Sequence, residues 1–196
     1  MLEQIIRQPY QRLLVDPIAT KIASQATPNK ITLLGGLLGV LVIPTLLLKQ
    51  SLLAILFLLA SGYCDTLDGT LARIKNQSDV FGAVLDIIFD RTVEFAVILG
   101  LFFVDSHARA LSCLFMLGSI LLCVTSFLLV AIFTSNTSQK KFYYSPGIIE
   151  RPEAFIFFIL MMIFPSHFIF LSSLFTLLVI LTTIIRLNQF RQAQYK

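Results

Sequence analysis

Long uncharged stretches dominate the chain, and short polar segments separate them. Residues 31–48, 110–139 and 154–185 contain no Asp, Glu, Lys or Arg. A helix that crosses the hydrocarbon core, which is roughly 30 Å thick, needs about 20 mostly apolar residues. The last stretch is too long for one crossing, and Pro165-Ser166-His167 interrupts it. It therefore predicts two helices joined by a tight turn.

This pattern predicts an all-α integral membrane protein with six transmembrane helices, preceded by an N-terminal amphipathic interfacial helix. Residues 2–24 mix apolar and basic positions, and Pro9 and Pro17 break them into short pieces. Such a segment is typical of a helix lying at the headgroups, and a frayed tail is the alternative. The six spans are expected at 30–48, 51–75, 79–104, 108–134, 147–164 and 168–187.

We expect residues 1–196 to form a single membrane domain. Residues 1–29 would be its juxtamembrane amphipathic segment, residues 30–187 its six spans, and residues 188–196 a cytoplasmic tail. The composition agrees, since 57% of the residues are hydrophobic and only 13% are charged. A soluble domain usually carries about a quarter charged residues.

The basic residues predict the orientation, because cytoplasmic loops carry an excess of Lys and Arg. With the N-terminus inside, the outer loops hold only Lys49 and Arg109, and Arg91 lies within a span. We therefore expect an inner, cytoplasmic membrane with both termini cytoplasmic. The net charge of +4 fits this topology and anionic lipid headgroups, and no nucleic-acid partner is expected. The inner segments hold Arg7, Arg12, Lys21, Lys30, Arg73, Lys75, Lys140, Lys141, Arg151, Arg186, Arg191 and Lys196.

Four aspartates lie at the facing ends of the second and third predicted spans. Asp65 and Asp68 are three residues apart, and Asp86 and Asp90 are four apart. Each pair therefore lies on one helix face. The two helices are antiparallel and joined by a short cytosolic turn, so the two faces can meet.

Four carboxylates at membrane depth repel one another and lose hydration, so a positive charge must hold them. Two divalent cations would balance them, and oxygen ligands favour Mg²⁺ or Mn²⁺. Paired metals are a recurrent device for phosphoryl transfer. The alternative is structural ion pairing with Arg73 and Arg91, although two arginines cannot neutralise four aspartates.

The motif Asp65-x2-Asp68-Gly69-x2-Ala72-Arg73-x8-Gly82-x3-Asp86-x3-Asp90 resembles, without a gap, the signature of the CDP-alcohol phosphatidyltransferases. This resemblance implies transfer of a phosphatidyl group from CDP-diacylglycerol to an alcohol or phosphorylated alcohol, with release of CMP. It also implies a homodimer among the membrane lipids. The distribution of basic residues predicts that the active site lies at the cytoplasmic face.

The resemblance implies a role for each matched residue. One metal would be held by Asp65, Asp68 and Asp86, and the other by Asp65, Asp86 and Asp90. Asp90 would also take the proton from the acceptor hydroxyl. The cytidine diphosphate part would contact Gly69, Ala72 and Arg73, with Gly82 allowing close approach. Arg73 suits phosphate because guanidinium matches phosphate oxygens and keeps its charge.

Two further stretches resemble the phosphatidylinositol-phosphate synthase branch. In the segment 27–32, the residues Asn29, Lys30 and Thr32 look like that branch's nucleotide-side contacts, and the simpler interpretation is a helix start at Pro28. In the segment 147–153, Glu150 and Arg151 match the branch and are candidates for the acceptor site. An interfacial anchor is their simpler interpretation.

The acceptor is left unassigned, and we expect a departure from inositol phosphate. The branch carries cations late in span four and after the Glu-Arg-Pro-Glu run, where this chain has Phe133-Thr134-Ser135 and Ala154. Lys140 and Lys141, in the next loop, are the remaining acceptor-site candidates. A phosphatidylglycerophosphate or phosphatidylinositol-phosphate synthase is the specific alternative, and a divalent-cation transporter is the alternative class.

The topology can be checked at Gln77, in the turn between the second and third spans. In a chain without its native cysteines, Gln77→Cys should react with an impermeant thiol reagent only after the inner face is exposed. The same reagent should label Lys49→Cys from outside in intact cells. Labelling of Gln77→Cys in intact cells would contradict the orientation.

Overall fold

The computed structural model describes residues 10–75, 80–134 and 147–194, and the elements in these ranges are helical, with no strand among them. The chain forms two compact units, residues 1–104 and 105–196. The helices of the first unit are α1 (Asp16–Ile22), α2 (Pro28–Val40), α3 (Val42–Leu47), α4 (Ser51–Ile74) and α5 (Val80–Val104). Those of the second unit are α6 (Ser106–Thr134), α7 (Arg151–Ile163) and α8 (Phe168–Gln194).

The juxtamembrane segment packs along the second half of α4. A π-helical turn, Gln11–Val15, leads into α1. Val15 and Ala19 are buried against Leu67 and Leu71 of α4. Residues 10–22 therefore present one apolar side to the protein. Residues 1–9 lie outside the described ranges, and the expected position of the whole segment at the headgroups stays a prediction.

The first predicted span is broken into two helices, α2 and α3, at Leu41. Pro44 explains the break, because proline has no N–H and its ring clashes with the carbonyl four residues earlier, that of Val40. The chain then turns at Lys49, which adopts a left-handed φ of 57°, and Gln50 N donates to Thr45 O at 2.9 Å. This turn starts α4 on its return path.

Three glycines let α2 lie against both α4 and α5. A Cβ atom at Gly35 would be 2.9 Å from Cys64 Cβ of α4, while at Gly36 it would overlap the ring of Phe89 of α5. A Cβ atom at Gly39 would likewise overlap the side chain of Val93 of α5. Gly35 and Gly39 are small residues four positions apart, a pattern typical of close helix packing in membranes, and the contacts show such packing. This close approach brings the first turns of α2 to the end of α4.

Four segments among the described residues are long and apolar enough to cross a membrane, namely Pro28–Leu47, Ser51–Ile74, Ser106–Phe133 and Pro165–Ala193. Two expected spans differ from them for identifiable reasons. The helix α5 has the length but carries four charged residues, the acids Asp86, Asp90 and Glu94 and the base Arg91. The helix α7 has 13 residues, which span only about 20 Å. The membrane character is confirmed, and the count of six spans stays a prediction.

In the second unit, α8 packs against α6 and α7. The Phe175 ring of α8 lies 5.6 Å from the rings of Phe157 and Phe158 of α7. The guanidinium of Arg109 on α6 lies 4.3 Å from the ring centroid of Phe168 on α8. The expected turn at Pro165–His167 is present as a 3₁₀ turn. Aromatic contacts thus join the three helices of this unit.

Candidate metal and nucleotide site

Three of the four predicted aspartates converge in the first unit. Asp65 and Asp68 come from α4 and Asp86 from α5, and one carboxylate oxygen of each lies within 4.8 Å of the others. Asp68 is buried, with 6% of its surface exposed, while Asp65 and Asp86 are half-buried. Helical spacing explains the pairing on α4, and the antiparallel return of α5 adds the third carboxylate.

The first turns of α2 supply polar groups to this cluster. Thr32 is buried and its hydroxyl donates to Asp68 Oδ2 at 2.5 Å. A Cβ atom at Gly82 would lie 3.1 Å from Asn29 Oδ1, so the start of α2 approaches the start of α5 closely. The segment 27–32 is a helix start, since Pro28 opens α2. It also reaches the carboxylates through Thr32, and contact of this segment with the nucleotide stays a prediction.

Asp90 lies outside the three-carboxylate group. It is one helical turn beyond Asp86, a rise of about 6 Å along α5, and its side chain is 18% exposed. Arg91 contacts Asp90 at 3.9 Å and makes a shorter ion pair, at 2.6 Å, with the buried Glu94. Arg73 donates to Thr70 Oγ1. Structural ion pairing of the aspartates with these two arginines stays the alternative interpretation of the cluster.

The donor set fits a hard divalent cation. All three groups offer carboxylate oxygens, which Mg²⁺ and Mn²⁺ prefer. Mg²⁺ holds oxygens at 2.0–2.1 Å, so two ligands of one ion lie about 3–4 Å apart. Oxygens within 4.8 Å of one another reach that separation by small side-chain rotations. A hydroxyl that orients one carboxylate, as Thr32 does, is a common partner of a metal ligand.

The residues predicted to contact the nucleotide lie around the last turns of α4 and the first turn of α2. A Cβ atom at Gly69 would meet no other atom within 4 Å, so this face of the helix is open. Ala72 is half-buried, while Arg73 and Lys30 are exposed. Arg73 Nη2 donates to Thr70 Oγ1 at 3.0 Å. The open helix face and the exposed cations suit a large phosphate-bearing ligand.

The structure adds residues that the sequence pattern did not indicate. Gln11 Nε2 donates to Thr70 Oγ1 at 2.7 Å, so the juxtamembrane segment contacts the same turn of α4 as Arg73. Tyr10 lies beside Thr66 and Asp65, and burial raises the pKa of its phenol above the usual value. The Asp65 charge raises this pKa further, and the hydrogen bond with Thr66 opposes both. Tyr10 therefore stays neutral near pH 7 and keeps its proton.

The acceptor-site candidates of the second unit lie at the start of α7. Glu150 caps this helix in a capping box with Glu153, and the Arg151 guanidinium lies 5.4 Å from the Phe155 ring centroid. Thr182 Oγ1 of α8 accepts the N–H groups of Ile148 and Ile149, each at 3.1 Å. The segment is thus fixed on α8. Lys140 and Lys141 lie outside the described residues.

Arg186 is a further polar residue of the second unit, which the sequence pattern predicts only to be cytoplasmic. Its Nη1 donates to Cys123 O at 2.9 Å and to Ser126 Oγ at 3.2 Å. Within the described part of the chain, Arg186 Nε and Glu150 Oε1 are the buried side-chain atoms without a hydrogen-bond partner. A buried unpaired polar atom is costly, so both atoms are candidates for contact with a polar ligand. The sequence feature that could have indicated Arg186 is its position as a cation directly after a long apolar run.

Comparisons with known proteins identify related chains. A model of the CDP-alcohol phosphatidyltransferase family matches residues 25–187. The Escherichia coli inner membrane protein YnjF is 32% identical over 167 residues, covering 82% of this chain and 81% of that protein. The phosphatidylinositol phosphate synthase of Corynebacterium glutamicum is 30% identical over 158 residues, covering 76% and 68%.

A solved structure shows the same fold. The phosphatidylinositol phosphate synthase of Mycobacterium tuberculosis, with CDP-DAG bound, matches with a TM-score of 0.74 at 23% identity and covers 89% of this chain and 92% of that one. That enzyme has also been solved in complex with manganese and citrate. The likeness extends over nearly the whole chain.

Metal binding should follow the three-carboxylate cluster. Asp65→Asn and Asp86→Asn should each weaken Mn²⁺ binding by more than about tenfold, and by more than Asp68→Asn does. Thr32→Val should weaken it by about tenfold, since even outer partners of metal ligands typically contribute 10–100-fold. Titration calorimetry or Mn²⁺ electron paramagnetic resonance measures this directly. Asp105→Asn is the matched control, because Asp105 caps α6 through Ala108 N and Asn caps equally well. Unchanged Mn²⁺ affinity in Asp65→Asn would contradict the assignment.

Proposed function

The chain belongs to the CDP-alcohol phosphatidyltransferase family, and we propose that it transfers a phosphatidyl group from CDP-diacylglycerol to an alcohol with release of CMP. The observation that carries this proposal is the convergence of Asp65, Asp68 and Asp86 inside the residues that the family model matches. A clustered set of carboxylates suits charge neutralisation during phosphoryl transfer. Neither the described residues nor the comparisons support a cation transporter.

We propose that the aspartates hold two divalent ions, Mg²⁺ or Mn²⁺. Asp65, Asp68 and Asp86 would hold one ion, and Asp65, Asp86 and Asp90 the other. When bound, the ions neutralise negative charge on the reacting phosphate oxygens. The manganese in the structure of the mycobacterial enzyme supports the choice of metal. Thr32 keeps the buried Asp68 oriented in this arrangement.

Asp90 is the proposed general base. Its carboxylate takes the proton of the acceptor hydroxyl, and the acceptor oxygen attacks the lipid-linked phosphorus. The bond from that phosphorus to the oxygen of CMP breaks, and CMP leaves with the electron pair. The position of Asp90 supports this role, since it lies one turn beyond Asp86 and outside the tight cluster. Arg91 lies 3.9 Å from Asp90 and is itself held by Glu94.

The donor is proposed to bind around the end of α4. Gly69 leaves room for the nucleotide, and Ala72 lies on the same turns of the helix. Arg73 contacts the diphosphate, since guanidinium donates to two phosphate oxygens at once. The other donor contacts come from Asn29 and Lys30 at the start of α2, with Thr32 following one turn later and Gly82 opposite them on α5.

The acceptor is proposed to contact residues of the second unit, namely Glu150 and Arg151 with Arg186, and Lys140 and Lys141 nearby in sequence. The unpaired atoms Glu150 Oε1 and Arg186 Nε support this. The names of two relatives make inositol phosphate the first acceptor to test. Ala154, directly after the Glu-Arg-Pro-Glu run, supports an acceptor other than inositol phosphate. It is small and buried, whereas the phosphatidylinositol-phosphate synthase branch carries a cation at this position.

Membrane placement and assembly complete the proposal. We propose six spans, cytoplasmic termini, a cytoplasmic active site and a homodimer among membrane lipids. The aspartates lie towards the ends of α4 and α5 that the basic residues assign to the cytoplasm. A family resemblance alone supports the homodimer, and the mass of the purified protein in detergent measures it.

The proposed reaction is tested by incubating the purified protein with CDP-diacylglycerol, Mg²⁺ or Mn²⁺ and a panel of alcohols. The panel contains inositol, inositol phosphate, glycerol, glycerol 3-phosphate and serine. We expect metal-dependent CMP release with one acceptor, and a new phospholipid of the matching mass. Preferred formation of phosphatidylinositol phosphate would show that Ala154 and the span-four substitutions do not exclude inositol phosphate. No CMP release with any acceptor would contradict the proposed function.

Asp90→Asn separates the chemical step from binding. The change keeps the side-chain shape and removes the base, so we expect kcat to fall by about 10²–10⁴-fold, the usual contribution of general acid–base catalysis. The change also removes one proposed metal-ligand charge, so Mn²⁺ affinity is measured in the same variant. The KM for CDP-diacylglycerol should change much less than kcat, because most proposed donor contacts lie on α2 and α4. Asp105→Asn should retain full kcat. Asp90→Asn activity above about a tenth of wild type would exclude Asp90 as the base.

A further inference from the structure

The hydroxyl of Thr70 joins the juxtamembrane segment to the nucleotide end of α4. Thr70 is buried, with 4% of its surface exposed. Its Oγ1 donates to Thr66 O at 2.9 Å and accepts from Gln11 Nε2 at 2.7 Å and from Arg73 Nη2 at 3.0 Å. A threonine hydroxyl has one donor and two acceptor sites. These three bonds therefore use its full capacity.

The orientation of Gln11 in this network is determined by its second partner. Gln11 Nε2 also donates to Asp16 Oδ1 at 2.9 Å, and an ionised carboxylate can only accept hydrogen bonds. The amide NH₂ group of Gln11 must therefore face both Asp16 and Thr70. The Thr70 hydroxyl cannot donate to Gln11, so its proton is directed to the Thr66 carbonyl. Its remaining lone pair is left for Arg73.

The backbone around Gln11 is held independently of this network. Tyr63 of α4 donates from its hydroxyl to Leu14 O at 2.8 Å. Val15 and Ala19 are buried against Leu67 and Leu71. Lys75 Nζ donates to Ala26 O at 2.6 Å, which fixes the segment beyond α1 to the end of α4. These contacts therefore fix the backbone of the juxtamembrane segment from which the Gln11 side chain extends.

Arg73 depends on this support because its side chain is otherwise exposed. An exposed arginine samples many rotamers, and ordering it on a ligand costs side-chain entropy. The bond to Thr70 uses one of the five guanidinium N–H groups, and the others stay available to phosphate oxygens. Holding the guanidinium before the donor arrives lowers the entropy that binding must overcome.

We infer that Thr70 and Gln11 are positioning residues that hold the Arg73 guanidinium ready for the diphosphate of the donor. The inference rests on the proposed function, because Arg73 is taken as the phosphate contact. The juxtamembrane segment thereby takes part in donor binding through a chain of hydrogen bonds from Asp16 to Arg73. Neither residue touches the donor itself.

Thr70→Val tests this directly, since it keeps the shape and removes the acceptor. We expect the KM for CDP-diacylglycerol to rise about fivefold, the usual scale for the net contribution of one hydrogen bond, with kcat within about twofold of wild type. Thr70→Ser restores the hydroxyl and should restore the KM. Thr45→Val is the matched control, because Thr45 is also buried and donates to the carbonyl four residues before it, Leu41 O at 3.0 Å.

A double-mutant cycle separates positioning from a general structural effect. In an Arg73→Ala background, Thr70→Val should raise the KM no further, because the group it positions is gone. Equal fold-increases in both backgrounds would overturn the inference, as would an unchanged KM in Thr70→Val when Arg73→Ala raises it. Gln11→Met keeps the length of the side chain and changes no residue of α4. It should raise the KM for CDP-diacylglycerol about two- to threefold. It carries the test by itself if Thr70→Val fails to fold.

The inference and the proposed function fail in different ways. If the wild-type protein releases no CMP from CDP-diacylglycerol, the proposed function is wrong and the inference is overturned with it. If the wild type is active and Arg73→Ala raises the KM, but Thr70→Val and Gln11→Met match the wild type, only the positioning role is wrong. Retained Mn²⁺ binding in each variant shows that a changed KM does not arise from a collapsed site.

Discussion

Mutual repulsion of carboxylates at low dielectric is the constraint on which the first unit depends. Three acidic groups within 4.8 Å of one another repel strongly, since like charges in a poorly solvated site interact far more than in water. One of them, Asp68, is nearly enclosed by protein. A divalent cation would reverse the sign of this energy, so the arrangement that brings the carboxylates into repulsion would also favour metal binding.

The helix packing around the cluster follows from that constraint. The side chain of Thr32 has to reach Asp68 from α2, which requires the backbone of α2 to approach α4 closely. Gly35 makes this possible beside Cys64, and Gly36 and Gly39 do the same on the α5 side. Small residues at such crossings are the usual means of close helix packing in membranes. The close packing of the apolar helices in this unit thus brings polar side chains together at one end of it.

The sequence predicts the chemistry of the site better than its detailed geometry. The three- and four-residue spacings of the aspartates are helical periodicities, so the shared faces on α4 and α5 follow from the pattern alone. The separation of Asp90 from the other three does not, because it depends on where α5 crosses α4. The bond from Gln11 to Thr70 joins residues 59 positions apart, and no local pattern indicates it.

The helical boundaries show the same limit. The first span is expected unbroken at 30–48, but the structure divides it at Leu41, three residues before Pro44. The expected fifth span, 147–164, contains a shorter helix because Glu150 and Glu153 form a capping box that starts α7 at Arg151. Hydropathy cannot detect that start, since it measures apolar content rather than the hydrogen bonds that begin a helix.

The division of the chain into two units separates the residues proposed for the two substrates. The carboxylate cluster, the start of α2 and the open face of α4 all belong to residues 1–104, while Glu150, Thr182 and Arg186 belong to residues 105–196. Under the proposed assignment, mutations in the second half leave the residues for metal and nucleotide unchanged. In evolutionary terms, a lineage with such an assignment would change the alcohol it uses while inheriting its donor chemistry intact.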